Sequence, residues 1–140
     1  MRRRFDELTV GERHTLSSDA VTTRQLVMYA GASGDFNRIH FDQAYAQEAG
    51  LGGVIAHGML TMAIAGRSAC ALGGPGAFVR DIEGRFLNPV RPGDVVVMTV
   101  EVTAKEMRAG VPCCDLAIVG EVEGRRVFQG TATLAFPLPR

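Results

Sequence analysis

The residues with the most chemical content form a short run, Gly34-Asp35-Phe36-Asn37-Arg38-Ile39-His40, and a second motif, His57-Gly58-Met59, opens an apolar stretch further along. Together they offer a carboxylate, an imidazole and a main-chain amide. Those are the parts needed to move water on or off a double bond beside a carbonyl. An imidazole titrates near neutrality, which suits His40 to accepting and returning a proton, and Asp35 can orient the same water or carry the second proton. If residues 35 to 40 were helical, side chains five apart would point roughly 140° away from each other and could not share one water. The pair therefore requires a loop. Gly34 supplies the backbone freedom for a sharp turn, and Asn37 can brace it through side-chain to backbone bonds.

A blander reading competes with this one. Asp35 and Asn37 are common turn residues that can merely build an Asx-turn, and His40 can cap a helix or fill the core. On residue types alone the turn reading has the stronger claim. The second motif shifts the balance. The Gly58 N–H would lie in the first turn of a buried helix, unpaired within that helix and at the positive end of its dipole, where it can stabilise an enolate oxygen. His57 beside it could polarise a substrate or satisfy backbone groups at the helix start.

The elements that must position these groups are helical first and strand-like later. Thr22 or Thr23 can cap a helix with Leu26, Val27 and Ala30 at helical spacing, and Gly31 sits where a C-terminus is easily closed. Asp42 can cap a second helix, Gln43 to Ala49, ended by Gly50. Gly58 to Leu72 is apolar except at Thr61, Arg67 and Ser68, so it reads as the central helix of a core. Its Ala63, Ala65, Gly66 and Ala69 keep its surface thin, and Gly73-Gly74-Pro75-Gly76 ends it. The period then changes to alternation. Val96, Met98, Val100 and Val102 share one strand face, Leu116 and Ile118 mark a second strand, and Phe128, Gly130, Ala132, Leu134 and Phe136 mark the last. The small residues of that last strand fall where a helix would press closest. Pro92-Gly93 and Glu123-Gly124 supply turns. One long helix wrapped by an antiparallel sheet is the α+β arrangement called a hot-dog fold, expected here as a single domain over residues 1–140.

Composition narrows the function classes. A formal net charge of zero leaves no global field to gather nucleic acid or an anionic membrane. The basic run Arg2, Arg3 and Arg4 is followed at once by Asp6 and Glu7 and reads as a solvated, frayed terminus. The longest apolar stretch is shorter than the roughly 20 residues needed to span a bilayer. Cys70, Cys113 and Cys114 lack the spacing of a zinc knuckle or redox motif and read as small buried residues, so a reducing, cytoplasmic setting is expected. No His, Cys or carboxylate cluster has metal-ligand spacing, and no cofactor or metal is expected. Gly31-Ala32-Ser33-Gly34 lacks the second glycine and preceding strand of a nucleophile elbow. The Gly50-Leu51-Gly52-Gly53 segment lacks dinucleotide-binding spacing. His14 reads as a surface residue near an early strand.

Three segments carry a family resemblance: Tyr29 to Asp42, Ile55-Ala56-His57-Gly58-Met59-Leu60, and Arg85-Phe86-Leu87-Asn88-Pro89-Val90-Arg91-Pro92-Gly93-Asp94. They resemble the signature of the MaoC-like (R)-specific enoyl-CoA hydratases, and in look stand nearest to the catalytic subunits of mycobacterial (3R)-hydroxyacyl-carrier-protein dehydratases. The resemblance implies a hot-dog dimer that reversibly hydrates trans-2-enoyl thioesters to (3R)-3-hydroxyacyl thioesters, carried on CoA or an acyl-carrier protein. By motif position it assigns Asp35 and His40 as the catalytic pair and the Gly58 N–H as oxyanion donor. One departure stands out, because the family usually has proline where this chain has Arg38. A rigid φ is lost and a cation gained, either a solvated arginine or a contact for a substrate or carrier phosphate. Two rivals remain. A thioesterase of this fold would usually carry a carboxylate on or beside the central helix, and Gly58 to Leu72 has none. A noncatalytic, acyl-binding partner subunit of a hot-dog heterodimer is opposed by the presence of both Asp35 and His40.

Overall fold

The computed structural model describes residues 3–137. Five strands form one antiparallel sheet: β1 (Arg13–Ser17), β2 (Phe78–Phe86), β3 (Val97–Arg108), β4 (Val111–Val122) and β5 (Arg125–Ala135), in the spatial order β1-β3-β4-β5-β2. Three α-helices precede β2 in the chain: α1 (Thr23–Ser33), α2 (Gln43–Glu48) and the long α3 (Gly58–Gly73). The fold is a hot-dog, with α3 laid along one face of the sheet.

The alternating residues do what their period dictates. Val96, Met98, Val100 and Val102 are fully buried, as are Leu116, Ile118, Phe128 and Leu134, and they meet Leu60, Ala65, Ala69 and Leu72 of α3 in one core. The β3–β4 hairpin turns through Ala109 and Gly110 and the β4–β5 hairpin through Glu123 and Gly124, all at positive φ. Such paired left-handed residues match the twist of the flanking strands. The Ala109-Gly110 turn and strand β2 carry weaker sequence signals than the rest, since β2 holds Arg80, Asp81, Glu83 and Arg85 in place of a clean apolar alternation.

Several local expectations are corrected. Helix α1 does not close at Gly31. It continues to Ser33, and Gly34, at φ 77°, is its left-handed cap. Thr22 is the N-cap, accepting from Gln25 N, but only Leu26 and Ala30 face the core while Val27 is exposed. Helix α3 is not enclosed on all sides: Ala63, Arg67 and Cys70 are exposed, whereas Thr61 and Ser68 are buried. Ser68 is accommodated because its hydroxyl donates to the Ile64 carbonyl at 3.0 Å within the same helix. Cys70 is thus a surface thiol, unlike the buried Cys113 and Cys114.

The smallness of Gly130 also has a different cause from the one expected. A Cβ there would strike the Glu83 carbonyl oxygen, Gly84 and the Phe128 ring, so β2 and an aromatic side chain claim the space, and α3 does not. Gly84 is constrained by the same ring. At the N-terminus, Arg2 lies outside the described residues, but Arg3 is not frayed. Its guanidinium bonds the Glu7 carbonyl at 2.8 Å and pairs with Glu12, while His14 lies half exposed on β1 between the same two side chains.

Candidate functional site

Each candidate side chain is delivered by a short, locally determined piece of chain. After the Gly34 cap, the Asp35 amide bonds Ser33 Oγ, and Asp35 Oδ1 accepts from Asn37 N at 3.1 Å, so an Asx-turn does form. Asn37 then caps a 3-10 turn, Arg38–His40, by accepting from Ile39 N at 3.3 Å. That turn drives His40 inward while Asp35 stays at the rim with its side chain about half exposed. The turn reading and the chemical reading are therefore both realised: one Asp35 oxygen builds the loop and the other, Oδ2, lies 3.7 Å from His40 Nε2. This is too long for a direct hydrogen bond, and close enough for one water to sit against both atoms.

The tautomer of His40 follows from its other nitrogen. Nδ1 lies 2.7 Å from the Ile55 carbonyl oxygen, which can only accept, so Nδ1 carries the hydrogen and neutral His40 presents a bare Nε2 toward Asp35. The segment supplying that carbonyl is pinned on both sides, by Ile55 N to the Ile39 carbonyl at 3.1 Å and Ala56 N to the Val90 carbonyl at 2.7 Å. It leads straight into α3, whose N-cap is His57. The first helical hydrogen bonds run from Leu60 and Thr61 back to the His57 carbonyl. Gly58 N–H thus belongs to the opening amides that have no partner inside a helix.

A cavity of about 350 Å³ joins these pieces. His40, Gly58, Thr61, Phe86, Val90 and Val127 are among the residues that line it. Glycine at position 58 lets the Phe86 ring pack directly against the start of α3, because a Cβ there would come within 2.9 Å of that ring. The far wall follows β2 and is fastened by Leu87 N to the Val127 carbonyl at 2.9 Å and by Asn88 Nδ2 to the Arg126 carbonyl at 2.6 Å. His40 and the opening residue of α3 thus line one largely apolar hollow, with the Asp35 carboxylate 3.7 Å from His40 Nε2. Such a place can hold a thioester and polarise its carbonyl while a proton moves.

Over residues 7–117 the sequence matches the family model described as "MaoC like domain". The chain belongs to the MaoC-like family. Among its relatives, the (R)-specific enoyl-CoA hydratase of Rhodospirillum rubrum is 33% identical over 141 aligned residues, covering 95% of this chain and 91% of the relative. The 3-hydroxybutyryl-CoA dehydratase of Methylorubrum extorquens is also 33% identical, covering 95% and 83% respectively. Among solved structures, the unliganded R-hydratase PhaJ1 of Pseudomonas aeruginosa superposes with a TM-score of 0.87 at 31% identity, covering 96% of this chain and 86% of that one.

Within this MaoC-like site, the remaining candidates separate clearly. Arg38 turns to the surface, where Nε and Nη2 bond Asp42 Oδ2 at 3.1 and 2.7 Å and the guanidinium lies 4.3 Å from the centre of the Tyr45 ring. Asp42 is also the N-cap of α2, accepting from Tyr45 N, and its carboxyl is held below the usual range by that backbone bond and by Arg38. The cation that replaces proline is therefore tied into the first turn of the next helix. His57 is almost wholly buried and lies face to face with His40, ring centres 3.8 Å apart and planes inclined by 21°.

The expectation that no metal-ligand cluster exists is corrected in one respect. Asp35, His40 and His57 bring donor atoms within 4.8 Å of one another, a proximity created by the fold and invisible as spacing. Each of the two stacked rings already directs one nitrogen at a main-chain carbonyl, His40 Nδ1 at Ile55 and His57 Nε2 at Asp35, which leaves a single nitrogen on each ring for any ion. Sequence reasoning missed the Ile55 carbonyl that sets the His40 tautomer, because a backbone acceptor has no residue signature. It also missed Thr61 and Phe86 as cavity walls, although Phe86 lies in a segment that carried the family resemblance.

Proposed function

We propose that this chain catalyses the reversible syn addition of water to trans-2-enoyl thioesters, giving (3R)-3-hydroxyacyl thioesters in fatty-acid metabolism. The observation that carries the reading is the shared cavity of His40 and Gly58 with the Asp35 carboxylate 3.7 Å from His40 Nε2. In the forward direction a water held between Asp35 and His40 attacks C3. His40 Nε2 takes a proton from that water as the new C–O bond forms, and the π electrons of the double bond move toward the thioester carbonyl. Gly58 N–H stabilises the charge growing on the carbonyl oxygen. A proton from the Asp35–His40 pair is then delivered to C2 on the same face, and dehydration reverses each step. Asn37 supports the loop by capping the turn that carries His40.

The test is a panel of enoyl thioesters of several chain lengths on both CoA and carrier protein, beginning with crotonyl-CoA, followed by loss of enoyl absorbance alongside a free-thiol assay. Hydration lowers the absorbance and releases no thiol. Thiol release would indicate a thioesterase, which the absence of any carboxylate on α3 opposes. Loss of neither signal with every thioester would favour a noncatalytic acyl-binding partner subunit.

The assembly this reading requires is a homodimer, or a heterodimer with another hot-dog subunit. It is supported by β2 standing at one edge of the sheet, with Phe78, Phe86 and Leu87 exposed along and just beyond it. No helix among the described residues is long and apolar enough to cross a membrane. We place the enzyme in the cytoplasm, a setting supported by its free thiols at Cys70, Cys113 and Cys114. Arg38 remains a contact for a substrate or carrier phosphate in this reading, because its side chain is largely exposed even while paired. Arg38→Ala is expected to raise KM severalfold for phosphate-bearing thioesters and leave kcat within about twofold, the pattern of an interaction made equally in ground and transition states. An unchanged KM across the panel would leave Arg38 only its bond to Asp42.

A further inference from the structure

Building on the hydratase reading, we infer that His57 is a positioning residue that sets the mutual placement of Asp35, His40 and the start of α3. Three contacts converge on its ring. Its Nε2 lies 3.2 Å from the main-chain carbonyl oxygen of Asp35, an atom that can only accept, so His57 carries its hydrogen on Nε2 and donates it there. Its face covers the His40 ring at 3.8 Å, and the Tyr29 ring of α1 meets it nearly edge-on at 4.8 Å between centres. Because His57 is also the N-cap residue of α3, the peptide that follows it is the Gly58 amide. One side chain therefore ties the carboxylate loop, the base and the oxyanion donor into a single rigid unit.

Two further observations separate this role from ordinary core filling. With Nε2 donating, Nδ1 is a bare acceptor, and it is buried with no hydrogen-bond partner among the described residues. An unpaired buried acceptor is destabilising, so a leucine of similar bulk would serve packing at least as well. A planar ring with one donor meets all three contacts at once. Burial, and then the neighbouring His40, hold His57 toward the neutral form, and the groups facing it are His40, Asp35 and Tyr29. Neutrality matters because His40 takes up a proton during turnover, and a second cation stacked on it would oppose that step. The two histidines thus stand in opposite tautomers, His40 protonated on Nδ1 and His57 on Nε2.

The inference is tested in two ways that do not depend on each other. In wild-type protein labelled with nitrogen-15, long-range imidazole spectra are expected to show neutral His57 as the Nε2–H tautomer, with its protonation displaced to lower pH than that of a free imidazole. A neutral Nδ1–H form, or protonation at or above the free-imidazole range, would overturn the assignment even if no variant folds. Kinetically, His57→Leu and His57→Phe are expected to lose at least about tenfold in kcat, the scale of a small misplacement of reacting groups, with KM within about twofold. His57→Gln retains a donor that can reach the Asp35 carbonyl and is expected to recover part of that loss. Full turnover in folded His57→Leu, or a loss confined to KM, would refute positioning. Failure of the hydratase reading looks different, because wild-type protein would then hydrate no thioester while the tautomer spectra remained as described.

Discussion

His40→Ala is expected to fold and to lose at least about a hundredfold in kcat for crotonyl-CoA hydration, the lower scale for removing a general acid–base group. The geometry makes the loss specific to one atom. Nδ1 is committed to the Ile55 carbonyl, so only Nε2 is free to exchange protons with a water at Asp35. Alanine removes that nitrogen while leaving the Gly58 amide and the apolar walls able to bind the acyl group. KM should therefore change much less than kcat, and exogenous imidazole is expected to restore part of the rate by entering the vacated space. Thermal unfolding with a cooperative transition near that of wild type confirms that the variant is folded. Near-normal turnover in folded His40→Ala would remove His40 from the mechanism altogether.

Asp35→Asn is expected to be as damaging, again at least about a hundredfold in kcat. This substitution is the sharper of the two because it separates the two jobs of one side chain. Asparagine keeps an oxygen that can accept from Asn37 N, so the Asx-turn and the entry into the Arg38–His40 turn survive. What is lost is the charge of the carboxylate beside His40 and its capacity to take up a proton. The structural role therefore predicts little change, whereas the chemical role predicts near-complete loss of turnover. Stopped assays at several pH values should find the rate low throughout. Combining Asp35→Asn with His40→Ala should add little to the worse single variant, since residues acting on one water form a unit and their losses are far from additive. A product of two independent losses would mean that the two residues act on different steps.

Much of the frame was legible because it depends on local rules. A period of two fixes which strand residues face inward, so Val96, Met98, Val100 and Val102 could be assigned to the core without coordinates. A cap requires a short polar side chain at a helix start, which narrowed the choice to Thr22 or Thr23 for α1 and to Asp42 for α2; Thr22 and Asp42 are the residues that accept the backbone amides. The apolar run from Gly58 was similarly plain as the long helix, with its end one residue beyond the expected Leu72. Errors arose where a neighbour distant in sequence decides the matter. Val27 was grouped with Leu26 at helical spacing but is exposed, and Cys70 lies on the uncovered side of α3. Gly130 is small because β2 and Phe128 occupy the volume beside it, a fact about register between strands.

The same division runs through the candidate site. Sequence alone determined the chemical inventory: a carboxylate and an imidazole on a chain segment that Gly34 and Asn37 compel to turn, and a glycine amide opening the long helix. Those follow from residue type and from backbone rules acting over a few residues. Only the tertiary structure decided that Asp35 Oδ2 and His40 Nε2 stand 3.7 Å apart, that the Ile55 carbonyl selects the His40 tautomer, and that His57 stacks on His40 while donating from its own Nε2 to the Asp35 carbonyl. The reason is physical. Hydrogen-bond direction and ring stacking are settled within a few tenths of an ångström by groups brought together across long loops, and the packing of α3 against the sheet holds them there.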